Sequence, residues 1–254
     1  MRYVVSGIVA VALLAGAPSA ARAQREITLL APGPIREPLD ELVAHFQAKT
    51  GIRVRVTYGT GVSTRQTVAS GQAHDVSLLF APFPEALETG NIVRESATVI
   101  ARLRLAIAVR KGAPKPDIAS AAAVRRTLLN ATSIASVDPE QGSVGGAALL
   151  ALEKMGITAQ VRPKIRWVAT GGVVQDAVAK GEIEIALGPY LSDMRNPGVD
   201  VVGALPPDAA TPVDITGFLS TTVKDAKAAR ALLEFLASRE AAPTYEAAKM
   251  FPVR

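Results

Sequence analysis

Residues Thr57 to Gln66 read TYGTGVSTRQ, a run with two glycines, several hydroxyl side chains and one arginine. Such a loop can cap a helix, cradle a phosphate or hold a small anion. It lacks the GK[ST] ending of a phosphate-binding loop, and no HExxH or G-x-S-x-G occurs elsewhere in the chain. Ser63 and Gln66 form S-x-x-Q, which predicts that Ser63 caps its own helix. Thr60 is then freer to turn its hydroxyl toward a ligand. Arg65 has the planar fork that pairs with a carboxylate, although a solvated helix arginine is the plainer reading.

Three further loops share this character: APGPI at 31–35, DPEQGSVGG at 138–146 and ATGGV at 169–173. All four precede helix-like runs, so each presents unpaired backbone N–H groups and a positive dipole end, which suit an anion. The binding candidates are Gly33 and Pro34; Thr60, Gly61, Ser63 and Arg65; Gln141, Gly142 and Ser143; Gly172 and Val173; and Tyr190. Gly33, Gly61, Gly142 and Gly172 would admit close backbone approach, or serve only as turn residues. Ser143 has the same capping alternative as Ser63. Arg102 and Arg104 alternate on one face of an extended run, as carboxylate ligands or as a structural ion pair.

The elements that must position these loops follow a repeating pattern. Leu39, Leu42, Val43 and Phe46 share one helical face that stops at Gly51, before the strand-like IRVRVTY. Similar helix–glycine–strand units stop at Gly71, Gly156 and Gly181. This is the pattern of parallel sheets with crossover helices. One α/β set occupies residues 27–90 and another about 118–203, joined by a long extended stretch ending in Pro114 and Pro116. After the break LPPDAATP come another strand and an amphipathic helix through AARALLEFLAS. The expected organisation is a split lobe 1 (24–104 plus 205–254), a lobe 2 (105–204) and a ligand cleft between them.

Arg2, an apolar run from Val4 to Ala17 and Ala21-Arg22-Ala23 have the layout of a secretory signal peptide cleaved after Ala23. An uncleaved anchor helix is the less favoured alternative. Removing these 23 of 254 residues leaves 231 and lowers Lys plus Arg from 28 to 26 against 23 acids, a net charge of +3. That weak, scattered excess and the few aromatics argue against nucleic acid. The chain has no cysteine, which excludes disulfides, thiolate nucleophiles and Cys-based metal sites. His45 sits in a helix and His74 has no partner at metal-ligand spacing, so neither a metal nor a cofactor is expected.

The stretch from EITLLAPGPI through TYGTGVSTRQ to DVSLL, and then GEIEIALG and ARALLEFLAS, resembles type II periplasmic solute-binding proteins of the molybdate-binding kind. The likeness covers nearly all of the chain after the signal segment. It implies an α/β fold of two lobes, each a mostly parallel sheet with flanking helices. AVRKGAPKPDI, the DP…G loop and VVGALPP are similar to a branch that includes a periplasmic aconitate isomerase.

Two departures weigh against molybdate. The loop after the first strand, APGPI, lacks the usual hydroxyl, and Tyr190 is displaced from the tyrosine position near IALG. The resemblance implies a monomeric periplasmic protein that delivers a small anion, an organic acid above all, to an inner-membrane ABC permease. The alternatives are an aconitate-isomerase-like enzyme and a binder of molybdate or another tetrahedral oxyanion. An isomerase would need a base beside a carboxylate. His74, Asp138 and Glu140 are the available residues, and no catalytic residue is singled out among them.

Overall fold

The computed structural model describes residues 26–140, 142–190 and 196–253; the signal-like segment lies outside them. Strand β1 (Glu26–Pro32) runs through a short 3-10 turn into helix α1 (Arg36–Thr50) and returns as β2 (Arg53–Gly59). Helix α2 (Gly61–Ala69) then leads to the fully buried β3 (Val76–Phe80). Helix α3 (Pro84–Glu88) precedes the long β4 (Ile92–Leu103). After one residue, Arg104, the chain continues as β5 (Leu105–Arg110) in a different sheet.

The second lobe comprises α4 (Ala121–Asn130), β6 (Ile134–Val137), α5 (Ser143–Lys154), α6 (Thr158–Val161), β7 (Ile165–Val168), α7 (Gly171–Ala179), β8 (Ile185–Pro189) and β9 (Val199–Ala204). The chain then re-enters the first sheet as β10 (Val213–Ser220), followed by α8 (Ala226–Leu236), α9 (Ala242–Ala247) and β11 (Phe251–Pro252).

The first sheet has the order β11-β4-β10-β3-β1-β2 and the second β7-β6-β8-β5-β9. The helix–strand units pair in parallel: β1 with β2 and β3, β6 with β7 and β8. The sheets as wholes are mixed, because β10 runs antiparallel to β3 and β4, and β5 antiparallel to β8 and β9. The cause is topological. Strands that carry the chain from one lobe to the other enter each sheet from the opposite end.

All four glycines read as helix stops have positive φ, between 66° and 75° for Gly51, Gly71, Gly156 and Gly181, a region that side-chain-bearing residues enter at a cost. On α1, Leu39, Leu42, Val43 and Phe46 are buried as the 3.6-residue period requires. Phe46 meets Phe235 of α8 at 5.6 Å between ring centroids, so α8 closes the first lobe's core. Strand β2 is an edge whose Arg53 and Arg55 face outward, charges that deter edge-to-edge pairing. This is the two-lobed α/β fold of type II periplasmic binding proteins.

Candidate functional site

Parallel register brings the predicted loops together in pairs. Pro32 stands opposite Gly59, so the loops leaving β1 and β2 are neighbours; a Cβ on Gly33 would lie 3.4 Å from the Gly59 carbonyl. Val137 stands opposite Val168 in the other sheet, and Asp138 N–H donates to the Val168 carbonyl at 2.8 Å. The loops leaving β6 and β7 are therefore neighbours too. Between the two pairs lies a cleft of about 390 Å³. Gly33, Pro34, Arg36, Tyr58 to Gly61 and Phe80 form its lobe 1 wall; Val137, Gly142 to Val144, Ala169 to Gly171 and Pro189 form the lobe 2 wall. These are the carboxyl ends of the parallel strands, where open α/β sheets bind ligands.

The cleft lining contains no Asp or Glu among the described residues, and four helix starts contribute to it. Helices α5 and α7 begin there with no side chain capping their first N–H groups, and the turn before α1 is likewise uncapped. By α-helical geometry the first N–H groups of each helix lack an intrahelical acceptor. Helix α2 differs. Its cap is Thr60, whose Oγ1 accepts from Ser63 N–H at 2.9 Å, while Ser63 Oγ donates back to the Thr60 carbonyl. This corrects the sequence expectation that Ser63 would be the cap and Thr60 free. The helix starts three residues earlier than S-x-x-Q implied, with Gly61 in its first turn and in contact with the opposite lobe.

That contact is direct. A Cβ on Gly61 would sit 2.9 Å from Ser143 Oγ and 3.3 Å from Phe80 Cδ2. Ser143 is only 5% exposed, and its Oγ accepts from Arg65 Nη1 at 3.0 Å. Arg65 also donates to the Pro82 carbonyl at 2.9 Å, lies 3.7 Å from Glu85, and has a side chain 13% exposed. The expectation of a solvated arginine therefore fails. Arg65 lies mostly out of solvent behind the cleft floor and joins the two lobes through Nη1, which holds Ser143 and the turn at Pro82, while its buried Nε has no hydrogen-bond partner.

At the opposite extreme of burial, Arg36 is exposed and stacks its guanidinium 4.0 Å above the Tyr58 ring. Tyr58 OH donates to Asp40 at 2.5 Å, which holds the ring as a platform. Burial, then the hydrogen bond to Asp40 and its charge, push the Tyr58 phenol well above its ordinary value, opposed by Arg36. Arg36 makes no salt bridge among the described residues. As the first residue of α1 it places a cation at the positive end of a helix, a cost of up to about 1 kcal/mol. Sequence reasoning missed Arg36 and Tyr58, although an arginine at a helix start was a legible signal.

Other predicted residues lie elsewhere. Arg102 pairs with Asp214 at 2.7 Å, the ion-pair alternative, and Arg104 stacks 4.4 Å over Phe251; neither lines the cleft. Both belong to the lobe 1 sheet's packing with β10 and β11. Tyr190 N–H donates to the Arg104 carbonyl at the crossover, and its ring does not line the cleft. Helix α7 offers Thr170 and Gly171 rather than Gly172 and Val173; Val173 is 45% exposed on its outer face. Ser63 lies behind Thr60, and Gln141 falls outside the described residues.

None of the three possible bases reaches the cleft. His74 and Asp75 precede β3, whose far end at Phe80 forms the wall, roughly 16 Å away at strand rise. His74 Nδ1 bonds the Gln72 carbonyl at 2.7 Å and Nε2 is buried without a partner. Asp138 and Glu140 line a separate hollow with Trp167, and Asp138 accepts the Glu140 N–H. A larger groove of about 740 Å³ lies against the amino ends of β6 and β8, where Arg126 pairs with Asp117 and Glu184 accepts from Thr132. Among the described residues no group of three or more His, Asp or Glu could hold a metal ion.

Two α/β lobes with helix starts converging on an interlobe cleft define the class, a solute-binding protein. Residues 27–248 match the model of the family described as bacterial extracellular solute-binding protein, and the chain belongs to that family. It is 29% identical over 249 residues to an aconitate isomerase of Pseudomonas sp, covering 95% of this chain and 94% of that one. It is 27% identical over 246 residues to the molybdate-binding protein ModA of Azotobacter vinelandii, covering 93% and 94%. The sulfate-binding protein SubI from Mycobacterium tuberculosis H37Rv shares the fold, with a TM-score of 0.73 at 16% identity over 90% of this chain and 87% of that one.

Proposed function

We propose that this protein is the exported solute receptor of an ABC transporter and closes on a small organic acid. The observation that carries the reading is the composition of the cleft: four helix starts, the hydroxyls of Thr60, Ser143 and Thr170, one arginine and no carboxylate. Such a surface stabilises negative charge and repels nothing anionic. A volume of about 390 Å³ suits an organic molecule and leaves a tetrahedral oxyanion much room to spare. Lobe 1 and lobe 2 would close about the crossovers at Arg104 and 205–212, excluding water from the anion. Cleavage after Ala23, a monomeric mature chain and delivery to an inner-membrane permease belong to the same proposal.

A second reading is an aconitate-isomerase-like enzyme on this scaffold. It is favoured by the similarity to the Pseudomonas protein and by the Tyr58–Asp40 hydrogen bond at the cleft. Asp40 would hold Tyr58 as a donor; no imidazole or carboxylate from the lining is available as a base. Thermal shift of the mature protein against citrate, cis- and trans-aconitate, molybdate, tungstate and phosphate tests the first reading. Stabilisation by oxyanions alone would overturn it. Ultraviolet monitoring of cis–trans conversion then separates carrier from enzyme.

A further inference from the structure

We infer that Arg36 selects ligands carrying a second carboxylate, so that the cleft takes di- or tricarboxylates rather than single-centre anions. The inference rests on the organic-acid reading and adds the ligand class. The cleft has depth: Gly61 and Ser143 at its floor are buried, whereas Arg36 in its lobe 1 wall is exposed. One carboxylate on the floor meets uncapped helix N–H groups and the Ser143 hydroxyl. Ser143 Oγ already accepts from Arg65, which leaves its hydrogen to donate to an acceptor-only ligand. A single carboxylate bound there does not occupy a space of about 390 Å³, and the remaining volume extends to the guanidinium at the mouth.

Arg36 is organised for that role. Its stacking on Tyr58 fixes the guanidinium plane, and the Tyr58 ring is held by Asp40. Asp40 spends its Oδ1 on the phenol and forms no salt bridge with Arg36, so the guanidinium edge is open for a bidentate carboxylate. The placement at a helix start, unfavourable for the free protein, becomes favourable once an anion lies between the dipole and the cation.

The test is isothermal titration of wild type, Arg36→Gln and Arg36→Lys with tricarballylate, glutarate and butyrate, which carry three, two and one carboxylates, and with molybdate. Arg36 is exposed, and the unliganded melting temperature of each variant checks that it folds. Wild type should prefer tricarballylate and glutarate over butyrate. Arg36→Gln should lose roughly 10- to 100-fold in affinity for the two polycarboxylates, collapsing that selectivity. Arg36→Lys should recover part of it, since charge returns without the planar stack. Unchanged selectivity in Arg36→Gln overturns the inference and leaves the organic-acid receptor standing. Wild type that binds molybdate and no carboxylate overturns both.

Discussion

Among the longer helices, starts at the cleft and starts away from it are built differently, whereas the short α3, α6 and α9 lack a side-chain cap although they lie away from it. Away from the cleft, α4 is capped by Ser120, whose hydroxyl accepts from Ala123 N–H, and α8 by Asp225, whose carboxylate accepts from Ala228 N–H. At the cleft, α5 and α7 start at Gly142 and Thr170 with no side-chain acceptor. A cap is worth about 1 kcal/mol, so leaving it out twice on one surface is a measurable sacrifice of stability. The difference teaches that, of the longer helices, those uncapped at their starts are the ones that face the cleft, where their N–H groups are open to a ligand. Helix α2 stands between the two kinds: Thr60 caps it, yet its first residue, Gly61, forms part of the cleft floor.

The largest effect should come from breaking an uncapped start. A Cβ on Gly145, in the first turn of α5, would lie 2.0 Å from the Val137 carbonyl and 2.8 Å from Pro139 N, backbone atoms that cannot yield. Gly145→Ala should cost about 3 kcal/mol in urea unfolding, the upper end for overpacking. A cost under about 1 kcal/mol would show that the β6–α5 turn is not rigid.

Next comes Gly61→Ala, which sharpens the role of the floor. The added methyl meets Ser143 Oγ, itself held by Arg65, and should force the lobes apart. We expect about a tenfold loss of ligand affinity, equivalent to roughly 1.4 kcal/mol. Ser143→Ala in the same chain should relieve part of the clash, so the two losses should not add. Additive losses would mean that the lobes do not meet at this point.

Cap removal compares the two kinds of start directly. Ser120→Ala and Thr60→Ala should each lower stability by about 1 kcal/mol. Only Thr60→Ala should also weaken anion binding, because its helix start faces the cleft. Equal affinities in both variants would erase the distinction.

The smallest effect is a pH dependence remote from the cleft. Desolvation lowers the His74 pKa below 6.5, opposed by its bond to the Gln72 carbonyl and by Asp75. Its contribution to stability is full above pH 6.5 and falls as pH drops from there toward the lowered folded value, since only the unfolded chain takes up the proton. For Asp75, burial acts to raise the carboxyl, but hydrogen bonds from Lys224 and Thr28 outweigh it and hold the pKa below 3.8. Its contribution is present above pH 3.8 and is lost as pH falls through that lower value. Unfolding midpoints between pH 7.5 and 5 should decline in wild type and flatten in His74→Asn. An unchanged slope in His74→Asn would assign the dependence elsewhere.

Much of this was legible before any coordinates. The glycine stops at 51, 71, 156 and 181 announced the helix–strand units, because positive φ at a helix end is a local demand that glycine meets at least cost. The four cleft-facing loops were legible because a glycine- and hydroxyl-rich helix start is likewise a local pattern. The arginines were not. Arg65, Arg102 and Arg104 share one chemistry, and their sequence neighbours do not reveal that one bridges the lobes, one pairs with Asp214 and one stacks on Phe251. Each of those partners is distant in sequence: Ser143, Asp214 and Phe251.

By itself, then, the sequence determined the repeating α/β units, their two groups and the loops able to meet an anion, since hydrophobic period, glycine stops and helix starts are local properties. Tertiary structure alone decided which of those loops share a cleft, and that Arg36 over Tyr58 forms part of it. Parallel register sets Pro32 beside Gly59 and Val137 beside Val168. The two lobe crossings then bring Gly61 against Ser143, a contact between residues too far apart in the chain for any local pattern to encode.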